Sequence, residues 1–190
     1  PPAAPPAPTA APSAPAQPPV DLGPVTAALQ ALGLNVWFDA SMTAGEAFSD
    51  EIDREARSAQ AILVCWSPAS RDSRWVKSEA LIGFERDTLA AAYVAGPDGF
   101  APPAPFNGVH AEDLRAWLHA PCDTHAGWRS LLRRLGKLCN RADLESWGAL
   151  DAHASAQRLR KWLHAHPHSP LFVAAEALLQ LKFDKVASKA

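Results

Sequence analysis

Several functional classes are excluded by what the sequence lacks. It has only three cysteines, Cys65, Cys122 and Cys139, and none forms a CxxC pair. Such spacing supplies neither a disulfide framework nor a zinc site, and a reducing compartment is expected. No uncharged apolar run approaches the roughly 20 residues of a membrane helix, and no basic-then-apolar segment opens the chain. A cytoplasmic protein is therefore expected, from a chain that begins here at Pro1 rather than Met. A field of one sign is missing too: the formal net charge is -2, which gives no basic footprint for nucleic acid. The glycines from Gly96 to Gly108 follow neither the dinucleotide nor the Walker phosphate-loop spacing.

What is present suits one medium domain with additional helices: 190 residues, 48% hydrophobic, with seven tryptophans. Residues 1–20 are almost entirely Pro and Ala, which cannot bury a core and read as a disordered linker. A helix follows, with Asp21 near its start, Pro24 in its first turn, Val25, Leu29 and Leu32 on one face and Gly33 as its stop. Residues 34–38 read as a strand. Thr43 and Glu46 have capping-box spacing, and Ile52, Ala56 and Ala59 continue a helical stripe from Phe48. The run 61–66 is continuously apolar and closed by Ser67-Pro68, as expected for a central parallel strand. Ser73 is placed to cap a helix over 75–86, and residues 89–94 read as a strand. Val109 and His110 suggest a short edge strand, and Trp128, Leu131, Leu132, Leu135 and Leu138 mark another helix. The alternation predicts a doubly wound parallel sheet. Beyond residue 141 the pattern is helical only, with one helix around Leu159, Trp162 and Leu163 and a last one over 171–182.

The segments 32–39, 40–46, 58–68 and Trp75-Val76-Lys77-Ser78-Glu79 occur in the order and spacing of TIR (Toll/interleukin-1 receptor) domains, and residues 21–141 resemble that family in its bacterial form. The resemblance implies a flavodoxin-like α/β fold with helices on both faces, followed by a helical C-terminal extension over 142–190. It also implies that the loop 39–46 borders a nucleotide site and takes part in contacts with other TIR domains. Glu79 stands where NAD-cleaving members keep their catalytic carboxylate. The sequence departs from the family at one place. TIR domains open with a strand in the middle of the order 2-1-3-4-5, but proline has no N–H for a central ladder, so residues 1–20 supply no such strand.

The residues themselves leave alternatives open. Trp75, Glu79 and Ile82 share a helical face, so the Glu79 carboxylate projects beside large apolar groups. An ion pair with Arg74 or Arg86 is the plain role for such a residue, and catalysis is what the resemblance adds. Cleavage of the nicotinamide–ribose bond passes through an oxocarbenium-like state, and the cationic leaving group needs no proton, so one carboxylate suffices. NAD would be a substrate, with no resident cofactor and no metal. Trp37 and Phe38 fit stacking on a base or core packing equally well. Ser67 fits a phosphate or ribose contact, or ordinary turn chemistry. Asp39 and Glu46 are loop acids beside the implied substrate site, or only solvated or capping groups. His164, His166 and His168 lack metal-ligand spacing and read as a loop. Arg133 and Arg134 read as a solvated face. Three functions follow: an NAD glycohydrolase or cyclase, a silent TIR domain acting by self-association, or a receiver-like module. The segment Trp75–Glu79 favours the first two, and no membrane contact is expected.

Overall fold

The computed structural model describes residues 20–37, 50–150 and 153–187. Its first helix, α1 (Gly23–Ala31), starts where Asp21 Oδ1 accepts the Gly23 N–H at 2.8 Å and Pro24 occupies the first turn. It ends before Gly33, whose φ of 75° is the left-handed conformation glycine tolerates. Helix α2 (Asp50–Ser58) buries Ile52, and strand β1 (Ile62–Trp66) follows. The Ser67-Pro68 stop opens a short helix the sequence did not announce, α3 (Pro68–Asp72). There Ser67 and Ser70 cap each other reciprocally. Ser73 then caps α4 (Arg74–Glu85) by accepting from Val76 N. Strand β2 (Leu89–Tyr93), a 3-10 turn (Phe106–Gly108), strand β3 (Glu112–Asp113) and α5 (Arg115–His119) lead to α6 (Ala126–Leu138). Three helices close the described chain, α7 (Ala142–Gly148), α8 (Ala156–Ala165) and α9 (Phe172–Ala187).

The sheet is parallel in the order β1-β2-β3, with Ile62 opposite Leu89, Trp66 opposite Tyr93 and Tyr93 opposite Asp113. One face, with Val64, Trp66, Leu89 and Ala91, packs under Ala80 of α4 and Phe106. The other, with Ala90 and Ala92, shares a larger core with α1 and α6 through α9. Helices on both faces and parallel strands make this the flavodoxin-like α/β arrangement.

Three expectations need correction. Residues 34–37 form no strand: Leu34 N–H donates back to Leu29 O at 3.2 Å, and none of the four enters a ladder. Leu34 and Val36 nevertheless pack against the larger core. The alternation in the sequence is satisfied by packing, but ladder bonds need a neighbouring strand, and among the described residues β1 has a neighbour on one side only. Val36 and Leu63 thus do not lie on separate strands, and Phe38 lies outside the described residues. The short strand after the Pro/Gly loop is Glu112–Asp113 rather than Val109-His110, because Val109 N–H closes the 3-10 turn on Phe106 O. Arg134 is not merely a solvated residue: it donates to Leu89 O at 3.2 Å and to Asp87 Oδ1 at 3.0 Å, fixing α6 to the start of β2.

Helices α6 and α7 cross at backbone contact. A Cβ on Gly136 of α6 would lie 2.3 Å from Glu145 N, and one on Gly148 would lie 2.3 Å from Arg129 O. Each helix offers the other a glycine where a side chain would stand. The extension beyond residue 141 is therefore continuous with the core beneath the sheet, in which Trp147, Leu159 and Trp162 are buried with Leu131 and Leu132.

Candidate functional site at the carboxyl edge of the sheet

In open α/β sheets, ligands bind beyond the carboxyl ends of the strands. Here that edge is formed by Trp66 at the end of β1 and Ser67 after it, residues 94–105 after β2 and Arg115 after β3. Trp66 is fully buried, 5.4 Å from the Phe106 ring, and its indole N–H has no hydrogen-bond partner. Ser67 is buried as well, but its hydroxyl accepts from Ser70 N at 3.1 Å, so turn chemistry occupies it. Tyr93 meets Phe100 edge-on at 6.1 Å, and the Arg71 guanidinium stands 5.9 Å above the Phe100 ring. Arg115 joins the two later strands by donating to Asp113 Oδ2 at 2.7 Å, Asp98 Oδ1 at 3.2 Å and Gly96 O at 3.0 Å. These bonds hold the Asp113 carboxyl below its ordinary range and the guanidinium above its own.

Glu79 is reached through α4. Trp75, Glu79, Ile82 and Arg86 fall on one stripe at helical spacing, and Arg86 shows where that stripe faces. Its guanidinium donates to Ala56 O at 3.0 Å and Ala59 O at 3.3 Å, the carbonyls at the end of α2. With both carboxyl ends joined, α2 and α4 run side by side in the same direction, and both begin at the carboxyl edge of the sheet. Glu79 lies on the same stripe, about 7.5 Å along α4 from Arg74 at 1.5 Å per residue. Glu79 and Trp75 are both half-buried, and neither lacks an interaction partner.

Of the residues singled out from the sequence, the structure brings Ser67, Trp75 and Glu79 to the β1 and α4 side of this edge. Trp37 ends its segment 49% exposed, so it is not a core residue. Phe38, Asp39, Thr43 and Glu46 lie outside the described residues. Arg71, Tyr93, Phe100 and Arg115, which gather at the same edge, carried no recognisable spacing. Their proximity comes from parallel strand register, which places residues far apart in the chain side by side.

A second polar cluster lies in the C-terminal helices. Ser146 Oγ is 2.9 Å from His166 Nε2, a distance that suits a nucleophile and its base. The hydroxyl, however, donates to Ala142 O at 2.7 Å and accepts from Trp162 Nε1 at 2.9 Å. His166 Nε2 must therefore be a donor, and the pair joins α7 to the end of α8. No group of three or more possible metal ligands occurs among the described residues, and no helix there is long and apolar enough to cross a membrane.

A parallel sheet between two helical layers, with aromatic and charged groups collected at its carboxyl edge, is a doubly wound α/β module. Its loops, rather than its fold, decide its chemistry. The family model described as TIR domain matches residues 22–132, and the chain belongs to that family. TIR domains act in signal transduction and associate with other TIR domains. Comparison with curated proteins and with solved structures gave no match.

Proposed function

We propose that this TIR domain cleaves the nicotinamide–ribose bond of NAD, by hydrolysis or cyclisation, with Glu79 as the catalytic carboxylate. The observation that carries this reading is the common stripe of Trp75, Glu79 and Arg86. That stripe carries a half-buried carboxylate on the side of α4 from which Arg86 reaches the end of α2, on a helix that begins at the edge where α/β sheets take nucleotides. In the reaction the C–N bond breaks with its electron pair leaving on nicotinamide, whose ring becomes neutral. Positive charge builds on the ribose carbon, and the Glu79 carboxylate stabilises it and orients the ribose hydroxyls until water or a group of the same nucleotide attacks. Trp37 and Trp75 are the aromatic surfaces available to the base or the nicotinamide, and Phe38 and Asp39 follow Trp37 directly in the chain. Ser67 contributes by shaping the turn beside it.

The test is nicotinamide release by protein at micromolar concentration, free and clustered, compared with Glu79→Gln. Glutamine keeps the size of the side chain and removes its charge. Turnover should fall about 100- to 1,000-fold while the melting temperature stays within a few degrees. A variant as active as its parent removes Glu79 from the mechanism, and a large drop in melting temperature assigns it to structure. A second reading, assembly without catalysis, is favoured by the capping bond that occupies Ser67. Absence of turnover in the clustered parent would select it.

A further inference from the structure

Two guanidinium groups at the carboxyl edge of the sheet stand in contrasting surroundings. Arg115, which opens α5, spends its donors inside the protein: Nε on Asp113 Oδ1 at 3.0 Å, Nη2 on Asp113 Oδ2 at 2.7 Å, and Nη1 on Asp98 Oδ1 at 3.2 Å and Gly96 O at 3.0 Å. Those bonds tie the segment after β2 to the end of β3. Arg71, on the last turn of α3, is exposed and lies 5.9 Å over the centre of the Phe100 ring. A ring holds a guanidinium through its charge and uses none of its five N–H donors.

Phe100 is itself fixed. Its N–H donates to Pro97 O at 3.1 Å, and its ring meets Tyr93 edge-on at 6.1 Å. Gly96 has a φ of 118°, and a Cβ there would lie 3.1 Å from Phe100 Cγ, so glycine lets the segment turn back and the ring pack onto its own loop. Arg115 holds the Gly96 carbonyl, Gly96 seats Phe100, and Phe100 seats Arg71. A positive charge is thereby positioned just ahead of α4, whose cap is Ser73. Glu79 follows on that helix, about 9 Å along its axis from the cap at 1.5 Å per residue.

We propose that Arg71 binds the diphosphate of the dinucleotide and so sets a preference for NAD over substrates without one, an assignment that rests on the reading of this edge as an NAD site. The diphosphate is the anionic group of NAD, and a guanidinium presents paired donors that match phosphate oxygens. Arg115 does not take this part, because two carboxylates and a carbonyl already occupy its donors. It is a positioning residue, acting on Arg71 through the loop that carries Phe100.

Binding of ADP-ribose, the part of NAD left when nicotinamide departs, tests this without turnover. By calorimetry with the 190-residue chain, Arg71→Ala should weaken ADP-ribose about tenfold, the loss of one charge-assisted contact. Adenosine, which has no phosphate, should not distinguish the variant from its parent. Arg71→Lys should recover part of the affinity. Phe100→Leu keeps an apolar side chain, removes the ring and should also lose part of it, with a melting temperature within a few degrees of the parent. In turnover, Arg71→Ala should raise KM for NAD about tenfold at nearly constant kcat, and nicotinamide riboside should show no such rise. Equal ADP-ribose affinity in parent and Arg71→Ala overturns the proposal, as does a parent that binds no ADP-ribose up to about 10 mM. A matching loss for adenosine assigns Arg71 to the base and overturns it too, and Phe100→Leu binding as tightly as the parent removes the ring from the device. A parent that binds ADP-ribose through Arg71 yet releases no nicotinamide ends the catalytic role of Glu79 and leaves the diphosphate contact standing.

Discussion

Arg129 takes a positive charge into the interior. It is 4% exposed, donates to Asp123 O at 3.1 Å and Leu150 O at 2.7 Å, and lies 4.6 Å from the centre of the Trp147 ring. Those bonds satisfy the buried Leu150 carbonyl and the part-buried Asp123 carbonyl, and the ring contact adds a cation–π term strengthened by desolvation. Arg129→Met keeps the stem and leaves both carbonyls without a donor. It should cost about 2–4 kcal/mol, read as a lower urea midpoint at unchanged slope. Arg129→Lys should recover only part of the loss, because an ammonium cannot reproduce the planar fork. Nothing in the sequence marks Arg129 over its neighbours Arg133 and Arg134, since periodicity places residues on faces without saying what else a face meets. Glu79 is singled out in the sequence for a different reason: it sits in a segment whose order and spacing resemble a family.

Helices and strands with strong local signals were readable from the chain. Ser73 before a run of helix formers, the apolar run closed by Ser67-Pro68, and the leucine-tryptophan stripe of α6 all formed their elements within a residue or two of expectation. Residues 34–37 failed because strand structure is a property of pairs, and the alternation of Leu34 and Val36 is equally satisfied by packing alone. Helices α3, α5 and α7 escaped because five to seven residues carry too little periodicity to stand out. The crossing of α6 and α7 was equally invisible, since a glycine in a helix reads as a weakness until its partner is known. Gly136→Ala should push the helices apart and destabilise the protein by about 1–3 kcal/mol, although alanine is the better helix former. Thermal melting of Gly136→Ala beside an exposed glycine control, Gly108→Ala, checks this, and a stabilised Gly136→Ala would contradict the close approach.

Across the whole molecule, Arg141 holds the first helix to the last three. Its guanidinium donates to Leu32 O at 2.9 Å and to both oxygens of Asp143, whose second partner is the Ser169 hydroxyl. Burial works against the charged form of Asp143, but Arg141 and Ser169 outweigh it and hold the carboxyl below its ordinary value. A depressed carboxylate stabilises the fold above its unfolded-state value, about 3.9 for Asp. That contribution is lost as the pH falls through the lower folded-state value. Asp143→Asn should therefore be less stable than the parent at neutral pH and lose less on acidification below about pH 4. Urea midpoints taken at stepped pH values show whether the two curves converge in acid.

The bond from Arg141 to Leu32 joins residues 109 positions apart, and that separation is also an interval of time. A ribosome adding about 5 to 20 residues each second needs about 5 to 20 seconds to pass from one to the other. Throughout that interval the apolar face of α1 waits for the helices it will rest on, and the uncharged run of β1 leaves the tunnel before β2 has followed it out to pair with it. A chain organised in this way commits late, and its most adhesive segment is exposed early. Its yield in a cell should depend on holdase chaperones more than its final stability alone would suggest.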